Sequence, residues 1–554
     1  MSLERTIRPL LPLTLLAAAA SGQTITVTTA FDVVDVPSAA TIADLPGPDG
    51  LVSLREALRA SDNEPGHQTI GFAIPEDQRW LPNIFPEFVL LQGSFAFGAS
   101  DTVTIDGTTQ TAFGGDINPD GHEIVVELGV GMDGDGSELF GFHGTHVGLG
   151  GNNGIIHDNT GSMRISVGPF NSGCVIRDNE ADTIELTYSD DNVVIRNTTE
   201  RVRITGLNST DLATGNRIGG PDPADRNYIT GWGNVGEHGS VFGVTVELYN
   251  TDDTLIQNNY IGTNPDGMSI GNNASTVGVG IYNSNHNLTV RDNLIAIQSY
   301  WGGGNSGQVG GAPIYLQMYM GGSSIRIFGN TLGLNALGEP VLGSANGIWV
   351  GRYAFEYGAD DVRIGGPNPG EGNIIAGHRL SGVVMEYTWG TPIGYIRLSG
   401  NSIYANGEVG IDLMPDTSTF GPTPNDPLDA DVGANGLQNY PDVLVALLDG
   451  GDLRVAGSLH SEPLGEYTLE FFASPACDTT GFGPAQVFLG RTTVFTDPAG
   501  NATFSVMLPP LAPEGWVVTS TATSEPLGTT SELSACRQIR TASQHFVRSL
   551  RRLR

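Results

Sequence analysis

At 554 residues the chain is too long for one compact core, whereas a fold that lengthens by stacking coils escapes that limit. Its 77 glycines, with abundant Asn and Asp, point to turn-rich all-β structure. The 26 basic residues, every one Arg, stand against 60 acidic ones for a net charge of −34; this excludes electrostatic partnership with nucleic acid or an anionic membrane, and the lack of Lys excludes Schiff-base chemistry.

In chain order, Arg5 and Arg8 precede an apolar run from Leu10 to Ala20 that ends in Ala18-Ala19-Ala20. A basic start, a short apolar stretch and small residues make an export signal, predicted over residues 1–22, with a secreted, extracellular or periplasmic destination. The run is too short to span a bilayer, and no later segment of the mature chain is apolar for the required length. Thr24 to Thr29 alternates as a first strand. Then Ser53 with Glu56 three residues on forms a capping box for a short helix, Leu54 and Leu58 lying on its apolar face. A helix ahead of stacked strands covers the open edge of a terminal coil.

The repeating phrase of the chain is a β-branched pair, Arg or Gln, a polar residue, then Asn. It reads Val175-Ile176-Arg177-Asp178-Asn179, Val194-Ile195-Arg196-Asn197, Leu255-Ile256-Gln257-Asn258-Asn259, Thr289-Val290-Arg291-Asp292-Asn293 and Ile396-Arg397-Leu398-Ser399-Gly400-Asn401. Short strands ending in a turn Asn predict a solenoid of parallel strands, with β-branched residues inside and the Asn side chains stacked as a hydrogen-bonded ladder. The intervals from Asn259 to Asn293 and from Asn293 to Asn330 suggest about two coils of about 20 residues each. The strand arginines recur at equivalent positions, which suits a solvent-facing structural ladder better than one catalytic base.

The stretch Ser53-Leu54-Arg55-Glu56-Ala57 resembles the CSLREA domain found ahead of right-handed parallel β-helices of the pectin-lyase-like type in secreted bacterial proteins; Val52 stands where that family has Cys. The resemblance continues through Val103-Thr104-Ile105-Asp106-Gly107, through Ile218-Gly219-Gly220-Pro221 and Ile364-Gly365-Gly366-Pro367, and through the Asn-x-Ile-x-Gly that follows each pair at Asn227 and Asn373. It implies an all-β protein: a capping region over 23–100, a right-handed parallel β-helix over 101–440 and, from the alternating strands that follow, a β-sandwich over 441–540. A basic tail closes the chain at 541–554. Cys477 and Cys536 share the C-terminal module and can pair in an oxidising compartment, while Cys174 opens a repeat strand as a small apolar residue.

Two acidic loops have calcium-like spacing. Asp116, Asn118, Asp120 and Glu127 satisfy the literal calcium-loop pattern, but between strands rather than helices. Asp426, Asp429 and Asp431 alternate with glycines near the domain junction. Ca²⁺ and a plain polar turn both stand open for each loop.

For catalysis, the polygalacturonase family carries Asn-Thr-Asp, Asp-Asp, Gly-His-Gly and Arg-Ile-Lys, closely spaced. Here Asn250-Thr251-Asp252, Asp360-Asp361 and Gly377-His378-Arg379 keep the order without the spacing, and with no Lys the last motif cannot exist. An enzyme reading, a lyase or glycoside hydrolase on uronate-containing glycans, would rest on Asp252, Asp360, Asp361 and His378. Binding demands less. Tyr300, Trp301, Tyr315, Trp349, Tyr353 and Trp389 fall in one segment and can form platforms for sugar rings. The expectation is a secreted, non-catalytic protein that binds a polysaccharide or cell-surface glycan or serves as structure; a surface adhesin is the further alternative.

Overall fold

The computed structural model describes residues 22–93, 97–231, 243–271, 276–298, 311–317, 322–341, 343–351, 359–386, 395–416, 419–525 and 527–541. Strands of residues 24–413 join into one 32-stranded sheet, and the pairings within it are parallel. This is the predicted parallel β-helix.

A first sheet carries the repeated phrase. Its inward positions form one unbroken column in register: Ile25, Ile70, Ile105, Leu139, Ile156, Ile176, Val194, Ile218, Ile256, Val290, Ile327, Ile364 and Leu398. All are buried, and each contributes roughly 1.5–3 kcal/mol by leaving water. At the end of each strand the chain turns through a left-handed residue such as Asp178 (φ 58°) or Asp292 (φ 56°). There the ladder Asn enters the core. Asn159, Asn179, Asn197, Asn227, Asn259, Asn293, Asn330, Asn373 and Asn401 are chained amide to amide at 2.9–3.1 Å. Each Asn oxygen also accepts the backbone N–H of the preceding Asn, as Asn293 does from Asn259 at 2.9 Å. The buried amides are thereby paired, as a dry interior requires.

The ladder corrects the coil length. Asn259 bonds directly to Asn293, and Asn293 to Asn330, so separations of 34 and 37 residues are single coils. Earlier rungs need only 20 and 18. One coil runs from Thr289–Arg291 to Leu294–Ile295 of a third sheet, to Ala312–Gln317 of a second sheet, then to Gly322–Phe328. The extra residues are insertions on either side of the second sheet, which leave the inward columns undisturbed.

Both ends are closed. Helix Leu54–Asn63 has the expected capping box, with Ser53 N–H donating to Glu56 at 3.0 Å, and Arg55 grips Asp32. At the other end, two four-stranded sheets within 442–541 form the sandwich, and Cys477 and Cys536 are disulfide-bonded with Cα atoms 6.0 Å apart. Phe472, Ala485 and Leu533 of that module belong to the β-helix core. Ile403 and Ala485 exchange backbone hydrogen bonds at 2.8 and 2.7 Å. The sandwich is therefore also the terminal cap. Among the described residues no helix is long and apolar enough to cross a membrane. The predicted export signal (but for Gln23's neighbour Gly22) and nearly all of the basic tail lie outside the described residues.

Candidate functional site

Alternation along a strand puts every second side chain outside. On the second sheet the inward set is Val202 and Ile204, Val246 and Leu248, Val279 and Ile281, Ile314 and Leu316, Ile348 and Val350. Between them stand the outward residues Arg201, Arg203, Glu247, Tyr249, Tyr282, Tyr315 and Trp349. The rings form a strip along the axis. Tyr249 and Tyr282 are stacked at 4.8 Å and 17°, Tyr282 and Tyr315 meet edge-on at 5.8 Å, and Tyr315 and Trp349 lie 4.6 Å apart. Gly280 makes the strip possible: a Cβ there would sit 2.4 Å from the Tyr282 ring. Tyr315 is buried, while Tyr249, Tyr282 and Trp349 are half-buried. The Trp349 indole nitrogen is buried and has no hydrogen-bond partner among the described residues.

The strip ends in charge. The Arg203 guanidinium lies 5.4 Å from the centre of the Tyr249 ring, and Glu247 is ion-paired with Arg201 at 2.6 Å and with Arg203 at 3.3 Å. Glu185 follows two rungs away, in register with Arg203, and is paired with Arg164.

Of the predicted ligand residues, Tyr315 and Trp349 are in this strip; Tyr300, Trp301, Tyr353 and Trp389 lie outside the described residues. Reading by segment missed Arg201, Arg203, Glu247, Tyr249 and Tyr282. Their signal was present in the alternation of Val244 to Tyr249 and of Val277 to Tyr282, once those strands are set in register.

The residues of the enzyme alternative are not gathered. Asp252 accepts from Asn287 at 2.8 Å and begins a register column Asp252, His286, Ser323, Asp360, which puts Asp252 three rungs, about 14 Å, from Asp360. Asp361 holds Arg326 and Arg363; burial alone would raise its carboxyl, but the two guanidiniums hold it below the usual range. His378 is in the core, its Nδ1 2.7 Å from the Ser344 hydroxyl, and burial pushes it down to about 3. A neutral imidazole sealed inside a coil is out of reach of a glycan outside.

The strand arginines close on neighbouring acids. Arg196 takes Asp178 with two nitrogens at 2.7 and 2.9 Å and reaches Asp225 at 3.3 Å; the Arg196 contact, chiefly, holds the Asp178 carboxyl low against the cost of burial.

Of the two acidic loops, one converges. Single oxygens of Asp426, Asp429 and Asp431 lie within 4.8 Å of one another. Burial, with the neighbouring carboxylates adding to it, pushes Asp429 and Asp431 up to about 6, and one Asp431 oxygen has no partner among the described residues. Asp116, Asp120 and Glu127 form no such group and are exposed. Asn118 turns inward to donate to the His122 carbonyl at 2.6 Å, which makes that loop a self-satisfied turn.

No protein-family model matches the chain, and no curated protein does. Among solved structures, the chain is similar to a tailspike protein double mutant of E. coli bacteriophage HK620 in complex with pentasaccharide, at 11% identity and a TM-score of 0.31, over 90% of this chain and 94% of that one. It is also similar to the enzymatically active domain of bacteriophage CBA120 tailspike protein 2, at 10% identity and a TM-score of 0.24, over 87% of this chain and 73% of that one. The choice of site rests on this chain's own residues.

Proposed function

We propose that this protein is exported and binds a polysaccharide or cell-surface glycan, without cleaving it, along the outer face of its second sheet. The observation that carries the reading is the strip from Tyr249 to Trp349. The half-buried rings of Tyr249, Tyr282 and Trp349, set at rung spacing, offer apolar faces to the C–H faces of sugars. Glu185 and Glu247 are each engaged by guanidiniums, whereas a hydrolase needs one carboxyl free to deliver a proton. Asp426, Asp429 and Asp431 would hold a Ca²⁺ that stiffens the junction of helix and sandwich; oxygen ligands around a tight loop are what that ion takes.

The test is a binding screen of the full chain on immobilised glycans, paired with an assay for new reducing ends and unsaturated products. Binding that drops at least tenfold in Trp349→Ala and in Tyr282→Ala, with no cleavage, is the expected result. Cleavage would overturn the non-catalytic reading, and binding untouched by both variants would remove the site from the second sheet.

A further inference from the structure

A second concavity, far from the ring strip in composition, lies between the last rungs of the first sheet and the sandwich. It encloses about 590 Å³. The β-helix contributes Arg363 and Arg397, which occupy adjacent rungs in register, and the sandwich contributes Arg491. The rest of the wall is hydroxyl and backbone: threonines such as Thr492 and Thr493, Ser399, and the Gly365-Gly366-Pro367 turn. Among the described residues no aromatic ring lines it, and Pro367 is its one apolar side chain. An apolar ligand therefore has nothing to bury against.

The acids of the cleft are already committed. Glu525 takes both ends of the Arg397 guanidinium at 2.5 Å. Glu470 is buried and accepts from the Ser399 hydroxyl at 2.6 Å and the Gly400 N–H at 2.8 Å; burial raises its carboxyl above the usual range. Arg363 spends its Nε on Asp361 at 2.8 Å, and Arg491 is exposed and ion-paired with none of the described residues. The cleft wall carries three guanidiniums against the carboxyls of Glu470 and Glu525, with Asp361 on Arg363; in a chain of net charge −34 that is a local concentration of guanidinium donors. Guanidinium forks match carboxylates in shape as well as charge, and hydroxyls that both donate and accept match the hydroxyls of a sugar.

We propose that this interdomain cleft binds a small carboxylated saccharide, one or two rings long, with its carboxylate at Arg363 and Arg491 and its hydroxyls on the threonine wall. The site is separate from the ring strip and does not depend on it.

Calorimetric titration of the full chain with galacturonate and digalacturonate, against galactose and sodium sulfate, tests this. The uronates should bind and galactose should not, with affinity falling as NaCl is raised. Arg491→Ala, an exposed side chain whose loss should leave the melting temperature unchanged, should weaken uronate binding at least tenfold, and Arg363→Ala likewise. Trp349→Ala should leave it intact. Sulfate binding as tightly as the uronates would reduce the cleft to a general anion site and overturn the proposal. So would galactose binding equally, or no uronate binding. Uronate binding lost in Trp349→Ala but kept in Arg491→Ala would place the acidic sugar on the ring strip, sinking this inference and leaving the other reading intact.

Discussion

The outer faces of the first and second sheets share one rung spacing and one kind of aliphatic interior, yet they end differently. On the first, charges answer each other along the axis. His157 is held between Glu138 at 2.9 Å and Asp158 at 2.6 Å, Arg177 and Arg196 share Asp178, and Arg291 meets Asp292 at 2.7 Å. On the second, the outward positions hold rings and a guanidinium–carboxylate group at one end. From Glu138 to Asp292 the first face completes its own partners and serves the scaffold. A face that carries a strip of half-buried rings at rung spacing has apolar surface of the kind a sugar ring packs on.

The comparison can be pressed hardest where the second sheet runs under the sandwich. There Asp412, outward on the last rung, is buried, and burial pushes it up to about 6; Glu532 from the sandwich is pushed up to about 8, again by burial. These carboxyls bind protons more tightly folded than unfolded. Their contribution to stability is full below the unfolded values, 3.8 for Asp412 and 4.5 for Glu532, and is lost as pH rises through about 6 for Asp412 and about 8 for Glu532. Thermal or denaturant melts should show Glu532 alone costing on the order of 5 kcal/mol between those limits. Glu532→Gln should flatten the slope, although its amide then faces the N–H of Leu413 or Thr423. A wild-type slope that persists in the variant would clear Glu532 of the effect.

Next in size is the ladder. Asn259→Ala leaves neighbouring amides unanswered in the core and should cost about 3 kcal/mol, read as a lower denaturation midpoint with glycan binding unchanged. A loss of only a few tenths would mean the stack relaxes around the gap. Calcium comes third: saturating Ca²⁺ at about 100 times its dissociation constant should stabilise by about 2.7 kcal/mol. The measured shift in melting temperature on chelation should vanish in Asp431→Asn. Smallest is Arg291→Ala, an exposed ion pair worth at most about 1 kcal/mol; a larger effect would show that the first sheet's outer face does more than dress the scaffold.

How much of this was legible in the sequence follows from periodicity. The inward column and the Asn ladder recur at every rung, so a reading of residues finds them, and the capping box at Ser53 and Glu56 is local enough to read directly. Coil length was not legible. An Asn marks a turn but does not say how many residues are inserted before the next, and the 34- and 37-residue coils were divided in two. The ring strip was legible only in part, because Tyr249, Tyr282, Tyr315 and Trp349 are brought together by register across insertions of unequal length. The two acidic loops show the same limit. Asp426, Asp429 and Asp431 and the 116–127 loop share alternating spacing, and the backbone path alone decides that one gathers its carboxylates while the other turns Asn118 inward. Phe472 and Leu533 seal the solenoid from the sandwich side, and nothing in their local pattern says so.

That sealing governs how such a protein can change length over evolutionary time. With a helix fitted to the first coil and a folded module fitted to the last, through Ile403–Ala485 and Arg397–Glu525, neither terminus can accept or shed a repeat without rebuilding a cap. Duplication or deletion is tolerated in the interior, where each junction is the same aliphatic contact and the same Asn-to-Asn bond. A whole-coil duplication between Asn227 and Asn330 would lengthen the ring strip by one step and leave both closures as they are. The reach of the binding face could thus drift among descendants while the ends stay fixed.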